Sequence, residues 1–309
     1  MSEVVCIGSL NVDLVFQVER MPVSGESVTG RNLERHLGGK GLNQALAATR
    51  AGCQVALVGA VGDDDGGTWM LGELADEGVD ATGVERVDGP SGTALIEVDA
   101  TGANRIVVIP GANGWVNADY TATQVSRLAP AAVALAPLEV PPQAVVGAIR
   151  AARAAGMTTI LNPAPVPHDG VPEGLLELCD IVIPNEHEAT SITGIDVHDV
   201  DTALQAGRAL MDRGAGSAVV TLGARGAAWV TTSGTGHVPT YAVRAIDTVA
   251  AGDAFCGTLA ASLAGGVEWE RALQRACAAG ALATTVVGAS ASLPRLADIE
   301  ALIATGEVT

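Results

Sequence analysis

Short apolar runs alternate with helix-forming segments along most of this chain, and this alternation limits its possible folds more than any other feature. The first run, Val4–Ile7, ends at Gly8-Ser9, as a buried parallel strand does. Further strands are predicted at 54–58, 133–136, 158–161, 181–183, 218–222 and 227–231, and helices at 44–50, 141–155, 186–193, 200–213, 268–285 and 296–304. Parallel strands joined through helices need cover on both faces of their sheet. The sequence therefore predicts an α/β fold, with a parallel sheet flanked by helices on both faces.

A second, smaller sheet is predicted beside the first. Residues 93–98 and 105–109 have the pattern of two hairpin strands, which interrupt the α/β alternation. Residues 12–36 alternate loosely, are broken by Pro22 and Gly25, and are expected to supply its other strands. No stretch rich in proline or serine divides the chain. We therefore expect one domain over 1–309, with the small sheet formed by about 12–36 and 91–110.

The charge of the chain bears on its partners. It has 35 acidic residues against 17 Lys and Arg, a formal net charge of −18. Nucleic acids and anionic membranes bind clustered basic residues, so neither is expected as a partner. No apolar run approaches the roughly 18 residues of a spanning helix. The N-terminus has no basic leader segment, and the five cysteines form no paired motif, so a cytoplasmic protein is expected.

Residues 247–253 form a turn of small residues that leads into a predicted helix at about 252–264. Gly252 allows a ligand to approach the backbone closely. The unpaired N–H groups of the first helical turn and the positive end of the helix dipole together favour an anion. Asp253 at this point is either a helix cap or a base beside a bound phosphate.

Polar residues follow several of the predicted strands. In open parallel sheets ligands bind beyond the carboxyl ends of the strands, so we expect these residues to converge on one cleft. Asn and Asp are also common in turns, so no single one of them establishes a site. The residues are Asn11, Asp13, Glu139, Asn162, Asn185 and Thr221.

Asn185 and Glu188 form an N-x-x-E pattern at the start of a predicted helix. The carboxylate would hold hydrated Mg²⁺ through water, or the pair would form a capping box. The acidic residues 63–65 are interpreted as a helix-capping loop. The Walker A and G-x-G-x-x-G nucleotide motifs are absent.

Five blocks occur together and in order: Gly8-Ser9-Leu10-Asn11-Val12-Asp13, Gly38-Gly39-Lys40-Gly41-Leu42-Asn43, Asn185-x-x-Glu188, Thr221-Leu222-Gly223-Ala224-Arg225-Gly226 and 247–253. Together they resemble the ribokinase-like (PfkB) carbohydrate kinase family, and its ribokinase branch most closely. The resemblance covers essentially the whole chain. It implies a Rossmann-like core with a small β-sheet lid, and transfer of the γ-phosphate of ATP to a primary hydroxyl of a sugar.

The resemblance also implies roles for individual residues. The residues implied to contact the sugar are Asn11, Asp13, Gly39, Lys40, Asn43, Glu139 and Asp253. Asp253 is the general base, and Ala250, Ala251, Gly252 and Asp253 form the anion hole. ATP contacts fall on Asn185, Thr221, Gly223, Ala224, Gly226, Gly252 and Cys277, with Mg²⁺ near Glu188 through water. A monovalent cation, usually K⁺, is held by Asp247, Val249, Ala283, Val286, Gly288 and Ser292. Lids of two family subunits often clasp each other, which implies a homodimer.

Three positions depart from the pattern of the resemblance. Ribokinases commonly have Thr and Asn where this chain has Ala254 and Cys256, and His where it has Leu14. D-ribose, phosphorylated at O5, is the expected acceptor, and another pentose, deoxyribose, fructose or a nucleoside are alternatives. A sensor without turnover is disfavoured by the intact Gly252-Asp253 pair. A dinucleotide-dependent oxidoreductase is disfavoured by the missing glycine motif.

Overall fold

The computed structural model describes residues 3–101 and 103–306. Residues 1–2 and 307–309 of the predicted domain, and Gly102 between the predicted hairpin strands, lie outside the described residues. The strands are β1 (Val4–Ile7), β2 (Asn11–Gln17), β3 (Arg31–Gly38), β4 (Val55–Gly62), β5 (Asp80–Val87), β6 (Gly92–Val98), β7 (Asn104–Ile109), β8 (Val133–Pro137), β9 (Thr158–Asn162), β10 (Ile181–Val182), β11 (Ala218–Thr221), β12 (Ala227–Thr231) and β13 (Gly234–Val238). The helices are α1 (Lys40–Arg50), α2 (Asp65–Asp76), α3 (Ala118–Arg127), α4 (Pro142–Ala154), α5 (Glu186–Thr193), α6 (Val200–Asp212), α7 (Ala251–Ala264), α8 (Trp269–Ala283) and α9 (Leu296–Thr305).

The large sheet has nine strands in the order β13-β12-β11-β10-β9-β8-β1-β4-β5. The predicted parallel pairing is confirmed from β5 to β11. It is wrong at the other edge, where β12 and β13 pair antiparallel. The connection from β11 to β12, residues 222–226, is too short for a helical crossover. Gly226 completes this turn at φ 89°, where a Cβ atom would lie 2.0 Å from the carbonyl oxygen of Val238.

Helices cover both faces of the large sheet, as the alternation predicted. Along β1, Val4 and Cys6 pack into the core formed with α1, α7 and α8, whereas Val5 and Ile7 pack into the core formed with α4. All four side chains are fully buried. Such two-sided burial explains why the strands read as continuous apolar runs rather than as alternating ones. Among the described residues no helix has both the length and the apolar run needed to span a membrane.

The small sheet has the order β3-β2-β6-β7. Strands β6 and β7 form the predicted hairpin, in register from Thr93 opposite Ile109 to Val98 opposite Asn104. Strand β2 joins this hairpin through a parallel pairing with β6. The predicted extended segment thus supplies two strands of the same sheet, and an α/β fold with a second small sheet is confirmed.

Helix α1 begins four residues before the predicted helix, at Lys40 rather than Gln44. Gly39 precedes it with φ 88°, and a Cβ atom there would lie 2.7 Å from the carbonyl oxygen of Ser9. A Cβ atom on Gly41 would lie 2.4 Å from the carbonyl carbon of Gly8. Packing of the first turn of α1 against the end of β1 therefore outweighs the low helix propensity of Gly41. This packing brings residues 8–13 and 38–43 together.

Candidate active site

A cavity of about 410 Å³ lies between the small sheet and the carboxyl ends of the parallel strands, and we call it the central cavity. Ala94 and Ile96 of β6 and Ile106 and Val108 of β7 line its small-sheet side. The polar residues that follow the predicted strands all line it, and so do residues of 38–43 and 247–253. These lining residues are Asn11, Asp13, Gly39, Lys40, Asn43, Glu139, Asn162, Asn185, Glu188, Thr221, Val249, Ala250, Gly252 and Asp253.

Helix α7 begins at the wall of the central cavity. The residue before it, Ala250, has φ 61° and is one of two non-glycine residues with positive φ in the described part of the chain. This left-handed conformation costs an alanine ~1 kcal/mol or more. The N–H of Ala251 donates to the carbonyl oxygen of Thr248 at 3.3 Å. The N–H of Ala254 donates to the carbonyl oxygen of Ala250 at 2.8 Å, so the N–H groups of the first turn without a main-chain partner among the described residues are those of Gly252 and Asp253.

Gly252 borders open space. A Cβ atom placed on it would meet no described atom within 4 Å, so packing within the protein does not require glycine there. Its lack of a side chain leaves the N–H groups of the first turn accessible from the cavity. A phosphate group is the kind of ligand that binds at such a helix start.

The carboxylate of Asp253 is buried, with only 5% of the residue exposed. Oδ1 accepts a hydrogen bond from Nε2 of Gln44 at 2.9 Å, and Oδ2 accepts one from Nδ2 of Asn43 at 3.3 Å. Burial raises the pKa of Asp253, while the positive charge of Lys40 and these two hydrogen bonds oppose the shift. Since its side chain bonds to α1 rather than to the N–H groups of its own helix, Asp253 is not a helix cap.

Lys40 lies near three carboxylates. The negative charge of Asp253, followed by those of Glu139 and Glu188, raises the pKa of Lys40 against the effect of burial. The ammonium group therefore stays protonated and supplies the local positive charge that an anionic ligand needs in this acidic protein.

Glu139 joins the end of β1 to the start of α1. Its Oε2 accepts hydrogen bonds from the main-chain N–H of Lys40 at 2.9 Å and from the hydroxyl of Ser9. Glu139 thus fixes the backbone of residues 39–40 at the edge of the central cavity.

Asn11 and Asp13 lie on β2, two residues apart, and both line the central cavity. Oδ1 of Asn11 accepts from Nδ2 of Asn113 at 2.8 Å, which leaves the amide nitrogen of Asn11 as its donor towards a ligand. Burial raises the pKa of Asp13 to about 7, with further contributions from the charges of Glu139 and Asp253. A Cβ atom on Gly38 would lie 2.1 Å from Oδ1 of Asp13, so glycine at 38 makes room for this carboxylate.

Asn185 and Glu188 form the capping box at the start of α5. The side chain of Asn185 accepts the N–H of Glu188 at 2.9 Å, and Oε2 of Glu188 accepts the N–H of Asn185 at 2.8 Å. Burial raises the pKa of Glu188. Both residues also line the central cavity, so the capping role and a ligand-binding role do not exclude each other.

A second cavity, of about 380 Å³, adjoins the first and shares Thr221, Thr248 and Gly252 with it. We call it the side cavity. Most of its lining residues are Gly, Ala or Thr, and the larger ones include Tyr241, Val243 and Phe255. Most of the residues that the resemblance assigned to a nucleotide line it, namely Thr221, Gly223, Ala224, Gly226, Gly252 and Cys277, and Ala251 lies there as well.

Asp247, one of the residues predicted to hold a monovalent cation, lies four residues before the start of α7. Asp247 accepts the N–H of Val249 at 3.0 Å and the N–H of Gly288 at 2.9 Å, so it joins the two predicted segments. Ala283 and Ser292 are buried, and the N–H of Val286 donates to the carbonyl oxygen of Ala283 at 3.5 Å. Only Val249 of this set lines the central cavity. The described residues contain no cluster of three or more His, Cys, Asp or Glu that could hold a metal ion.

Sequence reasoning missed three residues that organise this site. Gln44 bonds to Asp253, Asn113 bonds to Asn11, and Ser9 bonds to Glu139. A signal existed for Gln44, since it lies four residues after Lys40 on one face of a helix. Asn113 lies in a short 3₁₀ turn at Gly111–Trp115, far along the chain from Asn11, and no local pattern connects the two.

Comparisons with known proteins identify similar chains. A family model described as "pfkB family carbohydrate kinase" matches residues 1–296. The chain is 36% identical to a ribokinase of Haemophilus influenzae over 290 residues, which cover 93% of this chain and 94% of that protein. It is 33% identical to a deoxyribokinase of Salmonella typhi over 306 residues, 99% of this chain and 100% of that protein.

A solved structure is similar over nearly the whole fold. The ribokinase of Arabidopsis thaliana, in complex with ribose and ATP, superposes with a TM-score of 0.90 at 28% identity. The match covers 98% of each chain.

Proposed function

This chain belongs to the pfkB family of carbohydrate kinases, and we propose that it transfers the γ-phosphate of ATP to the primary hydroxyl of D-ribose, giving D-ribose 5-phosphate. One observation carries the proposal. Asp253 and the free N–H groups of α7 lie where the central cavity, which is lined by several charged side chains, meets the apolar side cavity. A sugar in the first and an adenine nucleotide in the second would meet at this helix start.

Asp253 performs the proton transfer in this scheme. A primary hydroxyl is a weak nucleophile, and a carboxylate within hydrogen-bond reach orients it and accepts its proton. The buried position of Asp253 raises its pKa and makes it a stronger base than an exposed aspartate. The N–H groups of Gly252 and Asp253 stabilise the charge on the transferred phosphoryl group, the main requirement of this reaction.

The remaining residues bind and orient the reactants. Asn11, Asp13, Gly39, Lys40, Asn43 and Glu139 contact the sugar, and Asn185, Thr221, Gly223, Ala224, Gly226, Gly252 and Cys277 contact the nucleotide. Closure of the small sheet, formed by about 12–36 and 91–110, over the central cavity excludes water, which would otherwise compete as the phosphoryl acceptor.

Mg²⁺ is the expected divalent partner of the nucleotide. The capping box uses Oε2 of Glu188 alone, which leaves Oε1 to bind a water of the hydrated ion. When bound, the ion neutralises phosphate charge. K⁺ is proposed behind α7, at Asp247, Val249, Ala283, Val286, Gly288 and Ser292, where it would support the geometry of residues 250–253 without touching the sugar.

A homodimer through the small sheet is also proposed. Every residue of β7 is exposed although its sequence is largely apolar. Ile106 and Val108 line the central cavity, whereas Val107 and Ile109, each about half exposed, do not. An exposed apolar edge strand is a surface that a second copy would cover. A cytoplasmic location fits the five free cysteines, since thiols persist in reducing compartments.

Deoxyribose is the second candidate acceptor, because the Salmonella deoxyribokinase covers 99% of this chain at 33% identity. Of the three positions that depart from the ribokinase pattern, Cys256 lines the central cavity, whereas Ala254 is buried away from it. We therefore expect any effect on sugar choice to act mainly through Cys256.

The test compares kcat/KM for ribose, deoxyribose, fructose and nucleosides. The rate is measured as ADP formation from MgATP. We expect ribose to give the highest value. A higher value for deoxyribose would move the assignment to the second candidate. Sugar binding without ADP formation from any acceptor would exclude the kinase and favour a sensor.

A further inference from the structure

Gln44 lies in α1 directly behind Asp253 and is fully buried. Its Nε2 is 2.9 Å from Oδ1 of Asp253 and 3.0 Å from Oδ1 of Asn162. An amide nitrogen has two hydrogens, so both are used in these bonds. Gln44 thus connects the acidic residue of α7 to the carboxyl end of β9.

The orientation of these amides follows from one main-chain group. Nδ2 of Asn162 lies 2.8 Å from the carbonyl oxygen of Ile183, which can only accept a hydrogen bond. Asn162 must therefore present its nitrogen to Ile183 and its oxygen to Gln44. Gln44 must in turn present its nitrogen to Asn162, and the same nitrogen reaches Asp253. The carbonyl oxygen of Ile183 thereby determines, through Asn162 and Gln44, that Oδ1 of Asp253 accepts a hydrogen bond.

Two buried oxygens without a hydrogen-bond partner show that this orientation of the amide groups is energetically unfavourable. Oε1 of Gln44 and Oδ1 of Asn43 are buried without a hydrogen-bond partner among the described residues. Leaving a buried polar atom unpaired is unfavourable. Both neighbouring amides nevertheless direct their nitrogens at Asp253, and unpaired polar groups of this kind in a native core call for a functional explanation.

We propose that Gln44 is a positioning residue for phosphoryl transfer, which holds Oδ1 of Asp253 as an acceptor so that Oδ2 takes the proton of the sugar hydroxyl. The proposal rests on the proposed function and names the reacting atom within it. Oδ2 has only the longer, 3.3 Å bond from Asn43 and so is the less occupied oxygen. The hydroxyl O–H bond breaks as the new O–P bond forms, the bond from the γ-phosphorus to ADP breaks, and the proton stays on Oδ2.

Removal of the Gln44 donor changes the acidity of Asp253. The charged groups that face this carboxylate are Lys40 from α1, Asp13 from β2, Glu139 after β8 and Glu188 from α5, with the thiol of Cys256 one turn along α7. Lys40 favours the ionised form, and the three acids disfavour it. Loss of a hydrogen bond to the ionised form therefore raises the pKa of Asp253, and the base then protonates at higher pH.

The test uses Gln44→Met, which keeps the length of the side chain, and Gln44→Leu, and neither variant has a hydrogen-bond donor at this position. With sugar and MgATP saturating, kcat reports the enzyme–substrate complex. We expect the acid limb of the pH profile of kcat to move to higher pH by about one unit or more in both variants. This is the size expected for the loss of one hydrogen bond to a charged group. Thr258→Val, a buried polar residue five positions along α7, is the control and should leave the limb in place.

An infrared titration measures the same pKa without turnover. The carbonyl stretch of protonated Asp253 is identified by its loss in Asp253→Asn, and its midpoint should rise in both Gln44 variants. A shifted midpoint in a protein that phosphorylates no sugar would refute the proposed function, while still showing that Gln44 sets the acidity of Asp253. An active enzyme whose pH limb and infrared midpoint are both unchanged in the Gln44 variants would overturn the inference.

Discussion

Nδ2 of Asn113 lies 2.8 Å from Oδ1 of Asn11, at the point where the chain leaves the large sheet for the small one. The same side chain exchanges hydrogen bonds with both main-chain groups of Leu10, at 2.9 and 3.0 Å. A Cβ atom on Gly92 would lie 2.1 Å from this nitrogen, so glycine is needed opposite it. Asn113 therefore fixes the orientation of the Asn11 amide and the path of the connection between the sheets.

Asn113→Ala removes all three bonds. We expect the KM for the sugar to rise by about tenfold, the effect of about 1.4 kcal/mol of lost binding, with a smaller change in kcat. Initial rates at varied sugar concentration check this. Asn117→Ala is the matched control, since Asn117 caps α3 and does not line the central cavity. The control variant should have a free energy of unfolding that is lower by about 1 kcal/mol and an unchanged KM. If Asn113→Ala and Asn117→Ala had equal KM values, a role for Asn113 in sugar binding would be contradicted.

Asp13 is expected to make sugar binding depend on pH near neutrality. Its pKa of about 7 means that the folded protein protonates it below that pH, and only the ionised carboxylate accepts hydrogen bonds from two sugar hydroxyls through both oxygens. We expect the KM for the sugar to fall as pH rises through about 7. In Asp13→Asn, KM should stay near the value that the wild type reaches at low pH and should lose this pH dependence, as measured by initial rates between about pH 5.5 and 8.5.

The same group affects folding stability with a defined sign. Between its unfolded pKa near 4 and its folded pKa of about 7, Asp13 is protonated in the folded state but not in the unfolded state. The folded state binds more protons, so this group's contribution to the free energy of unfolding falls as pH rises through that window. Urea unfolding at several pH values should show a smaller decline in Asp13→Asn than in the wild type. If the free energy of unfolding declined equally in both proteins, the buried position of the Asp13 carboxylate would be contradicted.

Asp253→Asn tests the base directly. We expect kcat to fall by about 100-fold or more, because asparagine accepts no proton at neutral pH. Calorimetry should still detect sugar binding, since Asn11, Asp13 and Asn43 are unchanged. Asp201→Asn, an acidic residue in the first turn of α6, is the control and should keep the wild-type kcat. An Asp253→Asn enzyme that turns over normally would refute the assignment.

The parts of this fold that sequence reasoning recovered are those with a local signal. Apolar runs such as Val4–Ile7 and the strands of the β6–β7 hairpin are set by burial on both faces or by turn residues, and both leave a readable pattern. The start of α1 was predicted too late, because Gly41 has low helix propensity and only its packing against Gly8 makes it helical. Strand β13 had no such signal, since Gly234 and Gly236 weaken its strand pattern.

The same distinction applies to the site. Asp253, Gly252 and residues 38–43 stand in blocks whose order along the chain resembles a known family, so the sequence alone identifies them as candidates. Gln44, Asn113 and Ser9 act through partners 209, 102 and 130 positions away. Such contacts depend on which strands become neighbours in the sheet, and one sequence does not encode that in a form that local reasoning can use.

Asp247 connects the two segments that are proposed to hold K⁺. Its carboxylate holds the N–H groups of Val249 and Gly288, and it lies three residues before the left-handed Ala250. A cation held by main-chain oxygens of these two segments would stabilise the turn that starts α7. We expect kcat to be higher in KCl than in NaCl at equal ionic strength. Asp247→Ala should lose this difference, because without the carboxylate the two segments are no longer joined.

Asp199→Ala separates this effect from a general loss of stability. Asp199 caps α6 and lies outside both cavities, so its removal should lower the stability of the protein and keep the stimulation by K⁺. Arg50 offers an independent check, since it donates to the carbonyl oxygens of Ser290 and Leu293 at 2.6 and 3.0 Å and so ties this loop to α1. Arg50→Met should raise the K⁺ concentration for half-activation. A wild-type enzyme equally active in both salts would remove the cation from the mechanism, because the turn at 247–253 would then hold its geometry through Asp247 alone.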